Sequence, residues 1–191
     1  GLTAMGLFQE IAVGGTGSII ANAGLVKKVY LPREVFPLAS AGSALFNFGI
    51  QLVVLIAATI VVGKAPLHWD ILYAVPSVLV MVVYGLAFGL FFGALNVYLR
   101  DIQYLVEVAT TLVFWASPVV YSWQMVNQLV KNPVLVELYT NNPLTLAVIG
   151  FQRAFWVAGD ALAQPGELLL RLIVALLVGL VLLLLSHRVF L

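Results

Sequence analysis

The chain offers little of the chemistry that enzymes use. Cysteine is absent and the only histidines are His68 and His187, which removes disulfide frameworks, thiolate metal sites and Cys or multi-His catalysis. The one Gly-Lys pair, Gly63 and Lys64, is followed by Ala65, so there is no G-x-x-x-x-G-K-[ST] loop to cradle phosphates. Any ATP and its Mg must therefore sit in a partner subunit, and the chain itself is expected to bind no cofactor and no metal and to make no covalent bond. Nine Lys and Arg against eight Asp and Glu leave no basic face for a nucleic-acid backbone.

What remains is polar side chains at helical spacing inside apolar runs. Ser40, Ser43, Asn47 and Gln51 fall on one helical stripe, which either hydrogen-bonds to neighbouring helices or lines a path. Glu107, Thr110, Phe114, Ser117 and Tyr121 form a second stripe, opposite Leu105, Ala109, Leu112, Ala116 and Val119. A carboxylate at that depth faces a bundle interior or water, and hydroxyls beside aromatic rings suit a sugar better than a small ion. Structural and pathway readings of Glu107 stay equally open. Trp123 is expected near the outer mouth, where tryptophan favours an interface. Gly85, Gly89 and Gly93 form a doubled GxxxG, a face bare of side chains that lets another helix approach. Ser18 to Glu34 places Ile19, Ala23, Val26 and Tyr30 on one face, with Lys27, Lys28 and Arg33 for charge and Pro32 as a stop. It reads as a short helix parallel to the membrane, either a lipid anchor or a docking element.

These stripes need helices to hold them, and the composition says which kind. With 63% hydrophobic and 9% charged residues, against about 25% charged in soluble domains, the chain is an all-α polytopic membrane bundle. Charges punctuate it: 29 uncharged residues run from Val35 to Gly63, 29 from Ile71 to Leu99 and 23 from Val108 to Val130, each longer than the ~20 a span needs. Leu168 to Phe190 adds a fourth, with Arg171, His187 and Arg188 able to snorkel. The spans are expected at residues 37–63, 71–97, 103–122 and 168–188, with a kink at Pro118. Residues 1–15 read as the end of a further span whose beginning is cut away. Residues 123–166 are too long for a simple connection. They are expected to hold a short helix from Leu144 to Val157, capped by Asn142, with Pro143 first. At that length it is interfacial or re-entrant; as a further full crossing it would turn the C-terminus outward.

If Lys27 to Glu34 faces the cytosol, alternation puts Asn96 to Asp101 and Arg188 there too, five basic residues against four outside.

Four segments in order carry a resemblance: NAGLVKKVYLPREVFP at Asn22 to Pro37, NVYLRDIQYLVEV at Asn96 to Val108, ASPVVY at Ala116 to Tyr121 and NNPL at Asn141 to Leu144. The chain resembles the permease subunits of ABC-2 type polysaccharide exporters, which include the O-antigen, teichoic-acid and mycobacterial galactan export permeases. Nearly all 191 residues are covered. The resemblance implies an ABC-2 permease fold, truncated at its N-terminus, in a bacterial cell membrane. It implies a homodimer with a second permease copy, bound to an ATP-binding cassette ATPase and moving a lipid-linked glycan outward. It also implies that residues 16–34 form the cytosolic coupling helix, with Asn22, Lys27, Lys28, Tyr30, Pro32, Arg33 and Glu34 in contact with the ATPase. Arg100 and Asp101 would lie on the second cytosolic turn. Residues 123–166 would build the outer gate, and the span at 103–122 would border the lateral exit. Ser40, Asn47, Gln51, Glu107, Thr110, Phe114, Ser117, Tyr121 and Trp123 are the expected translocation-path residues. A glycan polymerase or ligase, or an ion-coupled carrier, would share the apolar composition. The former lacks a tight acidic or His constellation here, and the latter lacks paired carboxylates and repeats.

Overall fold

A computed structural model describes residues 1–26, 32–61, 69–130, 132–155 and 165–190. The helices in chain order are α1 (Leu2–Ala21), α2 (Ala23–Val26), α3 (Val35–Val61), a 3-10 turn (Trp69–Tyr73), α4 (Ala74–Tyr98), α5 (Ile102–Ala116), α6 (Trp123–Leu129), α7 (Pro133–Thr140), α8 (Pro143–Phe155) and α9 (Leu168–Phe190). No strand occurs among the described residues. Among the described residues, three helices are long and apolar enough to cross a membrane: Val35–Val61, the run Trp69–Tyr98 and Leu168–Arg188. The expected span at 103–122 is cut short. Pro118 disfavours helical backbone at the residue before it; Ser117 is extended, with φ −88 and ψ 153, and α5 stops after 15 residues, about 22 Å. A stop replaces the expected kink.

α1 and α4 form the centre. α4 packs against α1 on one side and α9 on another, while α3 and α5 flank α1. α1 runs on to Ala21, past the boundary expected at Gly15, because Gly15, Thr16, Ser18 and Ile19 remain buried inside the bundle. Asn22 ends it, its Nδ2 donating to the Ser18 carbonyl at 2.8 Å. Of the coupling helix expected at 16–34, the described residues contain the end of α1, the single turn α2 and the turn at residues 32–34 before α3. Lys27, Lys28 and Tyr30 lie outside the described residues.

The two ends of the bundle are each tied by a pair of polar side chains. At one, Glu34 Oε1 meets His187 Nε2 at 3.1 Å, joining the start of α3 to the end of α9. At the other, Arg153 Nε donates to Asp70 Oδ1 at 2.8 Å and its guanidinium stacks 4.2 Å from the Tyr73 ring centroid. Near this second end lie the three short helices of 123–155, where sequence reading anticipated one. Ser122, Asn132 and Asn142 cap them, their side-chain oxygens accepting from the N–H groups of Met125, Val134 and Leu144. α7 and α8 meet at a bend of 72°. Their junction reaches inward to Tyr84, and α8 climbs back until Gly150 lies between Ser77 and Leu172.

Candidate translocation face and outer pocket

The glycines of α4 decide how α1 is seated. A Cβ on Gly85 would stand 2.9 Å from Ile11 Cβ, one on Gly89 3.1 Å from the Ile11 carbonyl oxygen, and one on Gly93 3.2 Å from the Gly15 carbonyl oxygen. From the other side, a Cβ on Gly15 would reach Gly89 Cα at 3.0 Å. Real side chains do not fit such spacing, so the seam is backbone against backbone and leaves no room for a path.

The opposite side of α1 is different. Glu10 is exposed there, and its Oε1 accepts from Asn47 Nδ2 of α3 at 2.5 Å. Its partner Asn47 lies about 18 Å from one end of α3 and about 21 Å from the other at 1.5 Å per residue, so the pair sits at the middle of that helix. The packing face of α3 is Pro37, Ala41, Ala44 and Phe48. Ser40, Ser43, Asn47 and Gln51 border that face. Ser40 Oγ abuts Gly14, Ser43 Oγ donates to the Ala39 carbonyl, and Ser43, Asn47 and Gln51 are exposed. On α5, Gln103 approaches Gly17 and its Nε2 donates to Glu107 Oε1 at 3.4 Å. Above it, Gln9 Nε2 donates to the Thr110 carbonyl at 3.1 Å. A mid-depth carboxylate, carboxamides and a second carboxylate thus share the side of α1 that faces away from α4.

The expected α5 stripe divides. Glu107 is exposed, whereas Thr110 and Ser117 are buried, their hydroxyls donating to the carbonyls of Val106 and Val113 on their own helix. The face α5 presents to α1 and α4 runs through Gln103, Val106, Thr110, Phe114 and Ser117, so Glu107 stands at its edge. Tyr121 lies beyond the helix end. Its hydroxyl donates to the Ala116 carbonyl at 2.7 Å and accepts from Tyr139 at 3.3 Å. Trp123 opens α6, and its Nε1 donates to Thr140 Oγ1 at 3.0 Å.

Two cavities flank these faces. One of about 540 Å³ is apolar, between Phe8, Tyr84, Phe88, Val106 and Leu144. The other, about 550 Å³, is more polar and lies between α6, α7 and the first turn of α9.

Residues 1–156 match the model of the family described as ABC-2 type transporter. The chain belongs to that family. It is 28% identical over 150 residues to an O-antigen export system permease protein RfbA of Klebsiella pneumoniae, covering 78% of this chain and 55% of the relative. With a protein of the same name from Myxococcus xanthus it shares 27% over 149 residues, 78% of this chain and 56% of that one. The chain spans about half the length of the curated relatives it matches. This ABC-2 family member is therefore a membrane protein built as a helical bundle.

Within the ABC-2 chain, the segments expected to meet an ATPase lie at the Glu34 end. Pro32 and Arg33 are exposed and Glu34 is half-buried in the turn that starts α3. Arg100 and Asp101 are exposed in the turn between α4 and α5. Sequence reading missed Glu10 as a site residue, along with Gln9 and Gln103, and treated Asn96 only as part of a motif. Asn96 is fully buried. Its Nδ2 donates to the Thr16 carbonyl at 3.1 Å and its Oδ1 accepts from the Gln103 N–H at 3.2 Å. Asp101 makes no side-chain cap at the start of α5, so Asn96 supplies that cap from α4. The available signal was a carboxamide or carboxylate inside an apolar helix, which is costly unless it has a partner.

Proposed function

We propose that this chain is the core of the membrane subunit of an ATP-driven exporter that carries a lipid-linked polysaccharide from the cytosol across a bacterial cell membrane. The observation that carries the reading is the polar side of α1 turned away from α4, with Glu10 paired to Asn47 at the middle of α3, in a family member whose relatives are named O-antigen export permeases. Lipid is a poor neighbour for such a surface, whereas a hydrated glycan between two permease copies is a good one. The exposed turns at Pro32–Glu34 and Arg100–Asp101, with Lys27, Lys28 and Tyr30 beside them in sequence, receive the force of an ATPase that holds the ATP and Mg. The chain performs no catalysis of its own.

The test is reconstitution of the full permease with its ATPase in proteoliposomes. ATP should drive movement of a lipid-linked glycan, and a Walker-lysine substitution in the ATPase should stop hydrolysis and movement together. Reversing Lys27 and Lys28 to Glu should weaken assembly or uncouple hydrolysis from export. Glycan synthesis by the permease alone, or movement driven by an ion gradient alone, would overturn the reading.

A further inference from the structure

The polar cavity between α6, α7 and α9 is absorbed neither by the path along α1 nor by the ATPase-facing turns. Its volume, about 550 Å³, falls in the ~300–1,000 Å³ range of small-molecule sites. Its functional walls are Trp123, Asn127 and Gln128 of α6, Glu137 and Thr140 of α7 and Arg171 of α9.

Two of these side chains are held in place by other groups. Trp123 donates its indole N–H to Thr140 Oγ1 at 3.0 Å, and that buried hydroxyl in turn donates to the Val136 carbonyl at 2.7 Å. The ring plane is thereby fixed against α7. Arg171 donates from Nη1 to Asn141 Oδ1 at 2.6 Å and from Nε to the Gly166 carbonyl at 3.1 Å. Its other terminal nitrogen stands 3.8 Å from Glu137 Oε1, a loose pairing. Asn127, Gln128 and Glu137 are exposed on the rim.

The chemistry of this set is selective. An anion would meet Glu137, a cation would meet Arg171, and an acyl chain would strip water from several polar groups without replacing it. A neutral pyranose satisfies all of them. One face of the ring is C–H and stacks on an indole, while its hydroxyls both donate and accept, matching two carboxamides, a carboxylate and a guanidinium.

We propose that this cavity is a binding site for neutral hexopyranose units of the exported glycan, with Trp123 as the stacking platform and Asn127, Gln128, Glu137 and Arg171 as hydroxyl partners. The inference rests on the polysaccharide-export reading. It adds a place where successive sugars are held at the end of the bundle opposite Glu34.

The test uses the full permease with its ATPase, carrying Val130→Cys in the cavity wall, and a maleimide as the labelling reagent. The probes are mannotetraose, galactotetraose and cellotetraose. At least one should protect the cysteine, and Trp123→Ala should raise the half-protecting concentration about tenfold or more, the loss of one good contact. Gln128→Ala, at an exposed position where folding is undisturbed, should weaken protection several-fold. Absence of protection by all three sugars overturns the site, as does equal protection in folded Trp123→Ala and Gln128→Ala variants. ATP-driven movement of lipid-linked glycan is measured in the same preparations. Movement without protection overturns the pocket alone; no movement by the wild-type complex overturns the export reading and the pocket with it.

Discussion

Glycine lies on both sides of α1 and does opposite things there. Toward α4, Gly15 meets Gly89 so closely that an added Cβ would touch backbone atoms at 3.0 to 3.3 Å. Away from α4, Gly6 has nothing within 4 Å of where a Cβ would stand, and the same side carries Glu10. The first side is dry and closed by contact with a fixed neighbour. The second is left unfilled by this chain and is polar where a membrane is most apolar. One helix therefore serves as the structural axis with one face and offers a working surface with the other, and residue type alone does not distinguish the two.

That contrast can be broken most sharply at Gly89. Gly89→Leu should cost more than the ~1–3 kcal/mol typical of overpacking, since the obstacle is the Ile11 carbonyl and the Gly15 backbone. The purified permease should lose its cooperative melt in detergent, whereas Gly6→Ala should melt like the wild type. Equal effects at the two positions would erase the distinction between the faces.

The next effect in size concerns Asn96, which ties the seam to α5. Asn96→Ala leaves the Gln103 N–H without its cap and should cost about 1–3 kcal/mol. Hydrogen exchange should rise at the first turn of α5 before it rises in α4, and uniform loss of protection would argue that Asn96 acts only as filling.

On the open side the expected effect is on access, with stability changing by less than about 0.5 kcal/mol. Cysteine at Asn47 or Glu107 should react with a water-soluble maleimide in the assembled transporter, while cysteine at Thr110 or Ser117 should react slowly because both positions are covered. Rapid labelling at all four would mean that α5 turns its buried face to water during transport.

A small change is also expected at the Arg153–Asp70 pair, whose side chains are 30% and 41% exposed. A double-mutant cycle with Arg153→Gln and Asp70→Asn should give a coupling below about 1 kcal/mol. A larger value would make this end of the bundle as tightly tied as the glycine seam.

Much of this architecture is written in the chain. The uncharged runs beginning at Val35 and Ile71 and the segment from Leu168 contain α3, α4 and α9, because apolar length is a direct consequence of spanning a membrane. The Asn-Pro signature that marks α8 at Asn142 occurs also at Asn132, where it starts α7, and it was usable there on the same grounds. The end of α5 was harder to see. Pro118 permits either a kink or a stop, and which one follows depends on the packing of the residues after it, such as Val119 against the core and the Pro118 carbonyl accepting from Gln152. Stripe spacing identifies residues that share a face but not which neighbour covers it. Thus Thr110 and Glu107 stood together in the sequence and part in the structure.

The bent pair of α7 and α8 has a consequence for how the protein is made. α8 has 13 residues, fewer than the ~17 at which a helix is read as a span, yet Leu144 to Phe151 are buried without interruption. Such a segment gains its place from neighbours already in position. Because Gly150 is wedged between Ser77 of α4 and Leu172 of α9, its berth is complete only once α9, which follows it in the chain, has been inserted. α8 is thus locked only after the helix that follows it, and errors in biogenesis should surface first as an undocked α8.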